Sequence, residues 1–374
     1  MERRKVIIFG RNILNSLGQI RSFGERGFEP TLIWIGSNTH VLNKCKYLNE
    51  CFCVNSHEEA FQLLVDKYSN EERKPLLSPD NDLSVLEFDN HYNELKDKFY
   101  LTNAGGNGVF KHIFEKYEML QLAQKCGFNI PSTQILKVGA KPGWGINYPI
   151  FTKANWSLDP LWKNATSLSY NEEELMKAYK KMPFEEVLGQ NFIEKKNEVF
   201  VEGISANHGR DIVCPILGQY YRLPKTSYGT YGWLEVLNED RWHNLTNPLM
   251  KMLEEIGFEG IFDLQILMDN NDTPYFLEIN FRTPVYHHTT NKMGVNLCSI
   301  WADSMVKGKI DREKIQARKN KVNFYLESLD YAWFVRTRKI SLWRAIHDFC
   351  TSDCYMLWDK KDIRPVLEYI RRHI

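Results

Sequence analysis

Two apolar runs, Gly260 to Met268 and Tyr275 to Phe281, are separated by Asp269, Asn270, Asn271 and Asp272. Such residues favour turns because their short polar side chains bond the local backbone. The pattern predicts a β-hairpin with Asp263 in its first arm and Glu278-x-Asn280 in its second. Residues two apart on a strand share a face, so Glu278 and Asn280 project together. A turn centred between Asn270 and Asn271 sets Asp263 directly opposite Glu278. The arms are otherwise apolar (Ile261, Phe262, Leu264; Phe276, Leu277, Ile279), and carboxylates opposed there repel unless a cation lies between them. Asp263, Glu278 and Asn280 form an all-oxygen set that suits Mg²⁺ completed by phosphates and water. The pattern leaves a second reading open, in which one carboxylate faces solvent.

Two lysines stand where a lysine needs a reason. Lys153 sits inside the strand-like run Tyr148 to Ala154, and the helical periodicity of Phe110 to Cys126, stopped by Gly127 and Pro131, is best from Tyr117 on, with Lys116 at the start of that part. An ammonium in either place can hold a phosphate as a point charge. The plainer reading packs the stem and lets the head reach water.

The chain opens as βαβ: an apolar run Lys5 to Phe9, a helical pattern through Ile13, Leu17, Ile20 and Phe23, and a second run Thr31 to Ile35. A helix over Glu58 to Tyr68 continues a small doubly wound domain. Gly10 is followed by Arg11 and Asn12, so the first turn lacks the G-x-G-x-x-G phosphate fingerprint and a dinucleotide dehydrogenase is disfavoured. The glycine- and asparagine-rich loop Asn103 to Gly108 marks a boundary. Beyond it come an acidic-first helix over Asn171 to Met182, two strands within Val187 to Ile204, strand and loop over Val213 to Val236 with Gly218, Gly229 and Gly232, and a helix over Leu249 to Ile256. The predicted domains are 1–103, 104–305 and 306–374, in an α/β and α+β chain.

Charge narrows the partners. With 48 Lys plus Arg against 47 Asp plus Glu, no global field recruits nucleic acid or an acidic membrane. Residues 306–374 depart from that balance, with 16 basic residues against 9 acidic ones and Trp333, Trp343 and Trp358 interleaved. This reads as a helical appendage with a solvated basic face and buried tryptophans. The apolar run after Lys5 is too short for a signal peptide or a membrane span, which predicts a cytoplasmic protein. Eight scattered cysteines predict reduced thiols, and His347, Cys350 and Cys354 read as ordinary packing, not a zinc site.

Taken in order, these segments resemble the ATP-grasp superfamily, and within it the carboxylate-amine ligases such as D-aspartate ligase. Asn15-Ser-Leu-Gly with Arg21 is similar to the opening of the family's pre-ATP-grasp domain, and Glu115-Lys116-Tyr117 with Cys126-Gly and Pro131 to its entry to the nucleotide site. The run Tyr148 to Ala154 with Lys153 inside it resembles its second lysine strand. Gln190-Asn191-Phe192-Ile193 with Glu198 resembles the hinge that binds adenine through backbone groups and ribose through an acid. Arg222 with Pro224 and Gly229 resembles a strand touching acceptor or phosphate. Asp263, Glu278-x-Asn280 and Arg282 resemble the magnesium hairpin with its trailing arginine, and Gly294-Val-Asn296 the stretch after it. The tail motif Asp362-Ile-Arg-Pro365 is similar, loosely, to tails in the same branch. The chain departs at Asn155 to Trp162, which is not a glycine-rich flap, leaving Ser157, Lys163 or backbone amides to cover the phosphates.

The resemblance implies an ATP-grasp fold with a helical C-terminal appendage, ATP and Mg²⁺ as cofactors with Mn²⁺ able to substitute, and small-molecule carboxylate and amine substrates. It implies Lys116 and Lys153 on the α and β phosphates, the metal on Asp263, Glu278 and Asn280, and Arg282 and Arg222 neutralising the transferring phosphoryl and the oxyanion. His287 and His288 could take the amine's proton but read as loop or surface histidines. Carboxyphosphate chemistry, as in biotin carboxylase or carbamoyl phosphate synthetase, and a nucleotide-binding protein without turnover are the alternatives. Oligomeric state is not legible, and a homodimer stays open.

Overall fold

The computed structural model describes residues 4–156, 158–159, 161–224 and 229–373. The first sheet joins β1 (Lys5–Gly10), β2 (Glu29–Ile35), β3 (Glu50–Val54), β4 (Leu76–Pro79) and β5 (Tyr100–Leu101) in the order β3-β2-β1-β4-β5, parallel throughout. Val6 and Ile8 of β1 enter one core while Ile7 and Phe9 enter another on the opposite face. A strand apolar on both faces requires cover on both, which is why the run from Lys5 reads as continuous.

A four-stranded sheet in the order β6-β9-β7-β8 comprises β6 (Thr133–Lys137), β7 (Ile150–Lys153), β8 (Ser167–Ser169) and β9 (Glu186–Asn191). The largest sheet contains β10 (Lys195–Ala206), β11 (Asp211–Arg222), β12 (Tyr231–Val236), β13 (Gly260–Asp269), β14 (Pro274–Asn280), β15 (Lys321–Tyr325) and β16 (Cys354–Tyr355), ordered β14-β13-β10-β11-β12-β15-β16. The strand-and-loop pattern of 213–236 resolves into β11 and β12, with Gly218 and Gly232 inside the strands. A Cβ on Gly218 would stand 1.8 Å from the Phe200 ring, and one on Gly232 would stand 2.3 Å from the Gln219 carbonyl oxygen, so each glycine serves a close approach within the sheet.

The helix ending at Ile256 starts at Glu239 and runs through Pro248, upstream of the start expected at Leu249. The C-terminal region carries the expected helices, Leu342–Thr351 and Arg364–His373 among them, and it also donates β15 and β16 to the largest sheet. Its tryptophans correct the expectation of burial. Trp343 is 80% exposed, and Trp333 and Trp358 are exposed as well.

Candidate active site

At the tip of the hairpin the Asp269 carboxylate accepts the N–H groups of Asn271 and Thr273, each at 2.8 Å. Met268 then pairs with Pro274, a partner one residue later than a turn centred between Asn270 and Asn271 would give. A bulge at Leu277 adds a second residue, so Asp263 lies opposite Asn280 and Glu278 opposite Gln265. The expected pairing of Asp263 with Glu278 is corrected by two positions. Because the displacement is even, Asp263, Glu278 and Asn280 still share one face.

Asp263 is completely buried and accepts from Gln265 Nε2 at 3.0 Å, Asn280 Nδ2 at 3.2 Å and the Tyr286 hydroxyl. Burial raises its pKa against those hydrogen bonds. Asn280 Oδ1 accepts from Arg282 Nη2 at 3.1 Å, and Arg282 Nε reaches Asp82 Oδ1 at 3.1 Å. Burial opposes the Arg282 charge, but Asp82, Asp263, Glu278 and Asp80 outweigh it and hold the guanidinium pKa above its usual value.

The two lysines come together through Asn155. Its carbonyl accepts the Lys116 N–H at 2.8 Å and its side chain accepts the Tyr117 N–H at 2.9 Å. The residue that follows β7 by one position past Ala154 therefore holds the first turn of the helix Lys116–Cys126. Burial, with the Lys116 ammonium adding and Glu278 opposing, brings Lys153 down to about 8. Burial also lowers Lys116, against Glu278 and Asp82. Glu198 faces the same side from β10, with Lys195 Nζ at 2.6 Å, and burial raises its pKa against Lys195 while Glu278 adds to the rise. Glu278 is thus the charge that Lys116, Lys153, Glu198 and Arg282 all feel.

The hinge segment begins where β9 ends. Gln190 turns its Nε2 to Thr133 Oγ1 at 2.9 Å, and Asn191 Oδ1 accepts the Asn147 N–H at 2.8 Å. The backbone N–H groups of Asn191 and Phe192 donate to the carbonyls of Ser132 and Pro149, both at 2.9 Å. Phe192 is exposed and Ile193 half-buried. Lys163 lies in a short turn with its ammonium 5.6 Å from the Trp162 ring centre, and Ser157 lies outside the described residues.

Arg222 departs from the expectation. Its guanidinium pairs with Asp330 at 2.7 Å and with Asp348, both buried, and stacks near Tyr231 and Phe334. Those carboxylates come from the C-terminal region and occupy the fork that would meet a phosphoryl group. His287 and His288 lie in a loop, as expected, but neither is at the surface, since both are buried. His287 joins Glu202 through Nδ1 and Cys298 Sγ at 2.9 Å through Nε2. Despite burial, Cys298 and Glu202 raise His287 to about 10.

Asp82 is a site residue that the sequence reading missed. It opens the helix Asp82–Asn90, capped by Asn81, directly after β4. The carboxyl ends of parallel strands are where α/β sheets place ligands, and that rule would have pointed to it.

The site fits a hard divalent cation. Glu202 stands opposite Asp263 across β10 and β13, and its Oε2 is buried without a hydrogen-bond partner. That orphaned carboxylate oxygen beside Asp263 is an acceptor of the hard type that Mg²⁺ takes. Another group with possible ligand atoms, Glu25, His288 and Asp359, lies elsewhere, and Lys292 reaches Asp359 there at 3.4 Å.

Solved structures share this arrangement of sheets. An L-amino acid ligase from Bacillus licheniformis matches with a TM-score of 0.66 at 13% identity, over 86% of this chain and 80% of that one. The chain has the ATP-grasp fold. Within that fold, N5-carboxyaminoimidazole synthetase from Staphylococcus aureus matches with a TM-score of 0.63 at 14% identity, over 82% of this chain and 78% of the other. Biotin carboxylase from Campylobacter jejuni matches with a TM-score of 0.67 at 16% identity, over 86% and 75%. Pyruvate carboxylase from Rhizobium etli also matches, with this chain spanning 32% of its length. No family model and no curated protein matches by sequence. The ATP-grasp fold here has no described helix long and apolar enough to cross a membrane.

Proposed function

We propose that this protein is an ATP-dependent carboxylate-amine ligase that forms an amide bond through an acyl phosphate and releases ADP and phosphate. The observation that carries the reading is Glu278, whose charge reaches Lys116, Lys153 and Arg282 from the face it shares with Asp263 and Asn280. The fold supports this reading: one structural neighbour is an L-amino acid ligase, and others are complexes with ATP, ADP or MgADP.

A carboxylate resists attack because it is anionic and its oxygen leaves poorly, and phosphorylation removes both obstacles. Lys116 and Lys153 hold the α and β phosphates as point charges. Asp263, Glu278 and Asn280 would hold Mg²⁺, which would supply positive charge to offset the negative charge of the triphosphate. Arg282, steadied by Asp82 and Asn280, stabilises first the transferring phosphoryl group and then the oxyanion that forms when the amine attacks. The amine attacks the acyl carbon, the C–O bond to phosphate breaks, and the amine's proton leaves with the departing phosphate. Glu198 takes the ribose and the backbone of Gln190 to Ile193 the adenine. The reading divides the chain into 1–103, 104–305 and 306–374, the last part completing the largest sheet.

Resemblance to D-aspartate ligase favours an amino-acid carboxylate joined to an amine of a cell-wall, capsule or peptide precursor. A phosphate-release screen of amino acids paired with amines tests this reading. Turnover that needs both substrates and Mg²⁺ and is lost in Glu278→Gln, with unchanged circular dichroism, supports it. Full turnover in that variant refutes it, and turnover driven by bicarbonate alone assigns carboxyphosphate chemistry instead.

A further inference from the structure

The segment 331–347 is dense in exposed apolar groups. Leu342, Trp343 and Ile346 of the helix Leu342–Thr351 are exposed, and so are Tyr331 and Trp333 just before it. Successive helical residues are offset by about 100°. Leu342, Trp343 and Ile346 therefore occupy one side of the helix, while the other side buries Ala345 and Asp348. The outward side is apolar where a solvated helix would be polar.

The same segment contains Arg336, Arg338, Lys339 and Arg344, all exposed, and no acidic residue. Asp348, the next one along, is buried under Arg222 and Arg344. Among the described residues no ion pair joins Arg336, Arg338 or Lys339 to a carboxylate. The turn that carries them is held to the preceding helical turn by the Lys339 N–H donating to the Phe334 carbonyl at 2.9 Å.

The surface is also firmly mounted. Asp330 and Asp348, at its two ends, are both fastened to Arg222 of β11, and Tyr325 of β15 donates to Asp330 at 2.6 Å. That gives Arg222 a purpose in place of the catalytic one expected of it.

We infer that this face docks on an anionic phospholipid surface. Tryptophan and tyrosine settle at the level of lipid headgroups, leucine and isoleucine enter the acyl boundary, and arginine and lysine meet the phosphates. A second copy of the chain fits poorly, because a self-paired contact lays one cationic rim against another. A nucleic acid would leave Leu342 and Ile346 without a use. The inference stands apart from the nucleotide site, and places that site's cleft on a molecule held at a membrane.

The test is sedimentation of the full chain with vesicles of phosphatidylglycerol and phosphatidylcholine in equal parts, against phosphatidylcholine alone, without nucleotide. The chain is expected to partition onto the anionic vesicles and to be released by salt. Arg336→Glu with Arg338→Glu is expected to lower partition at least about 25-fold, since each basic residue near such a surface contributes about five-fold. Trp343→Ser with Ile346→Ser is expected to lower it too, with melting temperature and phosphate release in solution unchanged for both variants. No partition by the parent chain, or equal partition by the variants, overturns the inference. So does self-association abolished by the same substitutions. Neither result bears on turnover, which is read separately.

Discussion

Arg21 Nε lies 3.0 Å from Asp362 Oδ2, both side chains are 1% exposed, and the two residues are 341 positions apart in the chain. Arg21 also donates to the carbonyls of Met356, Leu357 and Asp362. Asp362 in turn accepts from the Lys46 N–H and the Cys45 thiol. The helix Ile13–Gly24 and the C-terminal tail are locked by one buried, hydrogen-bonded ion pair. Asp362→Ala is expected to cost about 3–5 kcal/mol, because it leaves a buried guanidinium without its counter-charge. Replacing both residues by apolar ones of similar volume should recover part of that loss. Urea unfolding of the two variants checks both outcomes.

The two arginines expected at the reacting centre should separate. Arg282→Ala is expected to lower turnover about 10²–10³-fold with nucleotide affinity little changed, as for loss of one group that stabilises a transition state. Arg222→Ala leaves Asp330 and Asp348 with too little counter-charge, and should lower stability by about 3–5 kcal/mol. Steady-state kinetics beside thermal melting distinguishes the pair.

Lys153, brought down to about 8, loses charge within an accessible range. Bound phosphates favour the ammonium, so nucleotide binding near that pH should take up a proton, and affinity should fall as pH rises through about 8. Titration calorimetry in buffers of different ionisation enthalpy reads the uptake, and Lys153→Met should abolish it. For the fold the sign is reversed. A lysine with a lowered pKa costs stability while it is charged, and the cost disappears as pH rises from about 8 toward the ordinary lysine value of 10.5.

His287 is shifted the other way, from 6.5 to about 10 by Cys298 and Glu202 against burial. A raised histidine stabilises fully below 6.5, and its contribution is lost as pH climbs to about 10. Unfolding measured across that window should show a decline that His287→Gln flattens.

Much of the fold was legible because it is written in local periods. The apolar run of β1, the helix over 57–68, the strand around Lys153 and the hairpin lie where alternation and turn residues place them, whereas the helical pattern over 110–126 is broken at Glu115 into Val109–Ile113 and Lys116–Cys126. Elsewhere local signals fell short. Local pattern left Gly218 and Gly232 unassigned between strand and loop, and the Phe200 and Phe324 rings against them explain why glycine stands there. Trp343 looks like core until its side of the helix is seen to have no cover.

What the sequence by itself determined is the residue types on each strand face and the order of the charged groups, because side-chain period and turn chemistry depend on neighbours a few positions away. The tertiary structure alone decided the pairing of Asp263 with Asn280, the place of Asp82 beside Arg282, and the commitment of Arg222 to Asp330 and Asp348. Each depends on a bulge or on a partner far along the chain, and a buried charge takes whichever opposite charge packing brings to it.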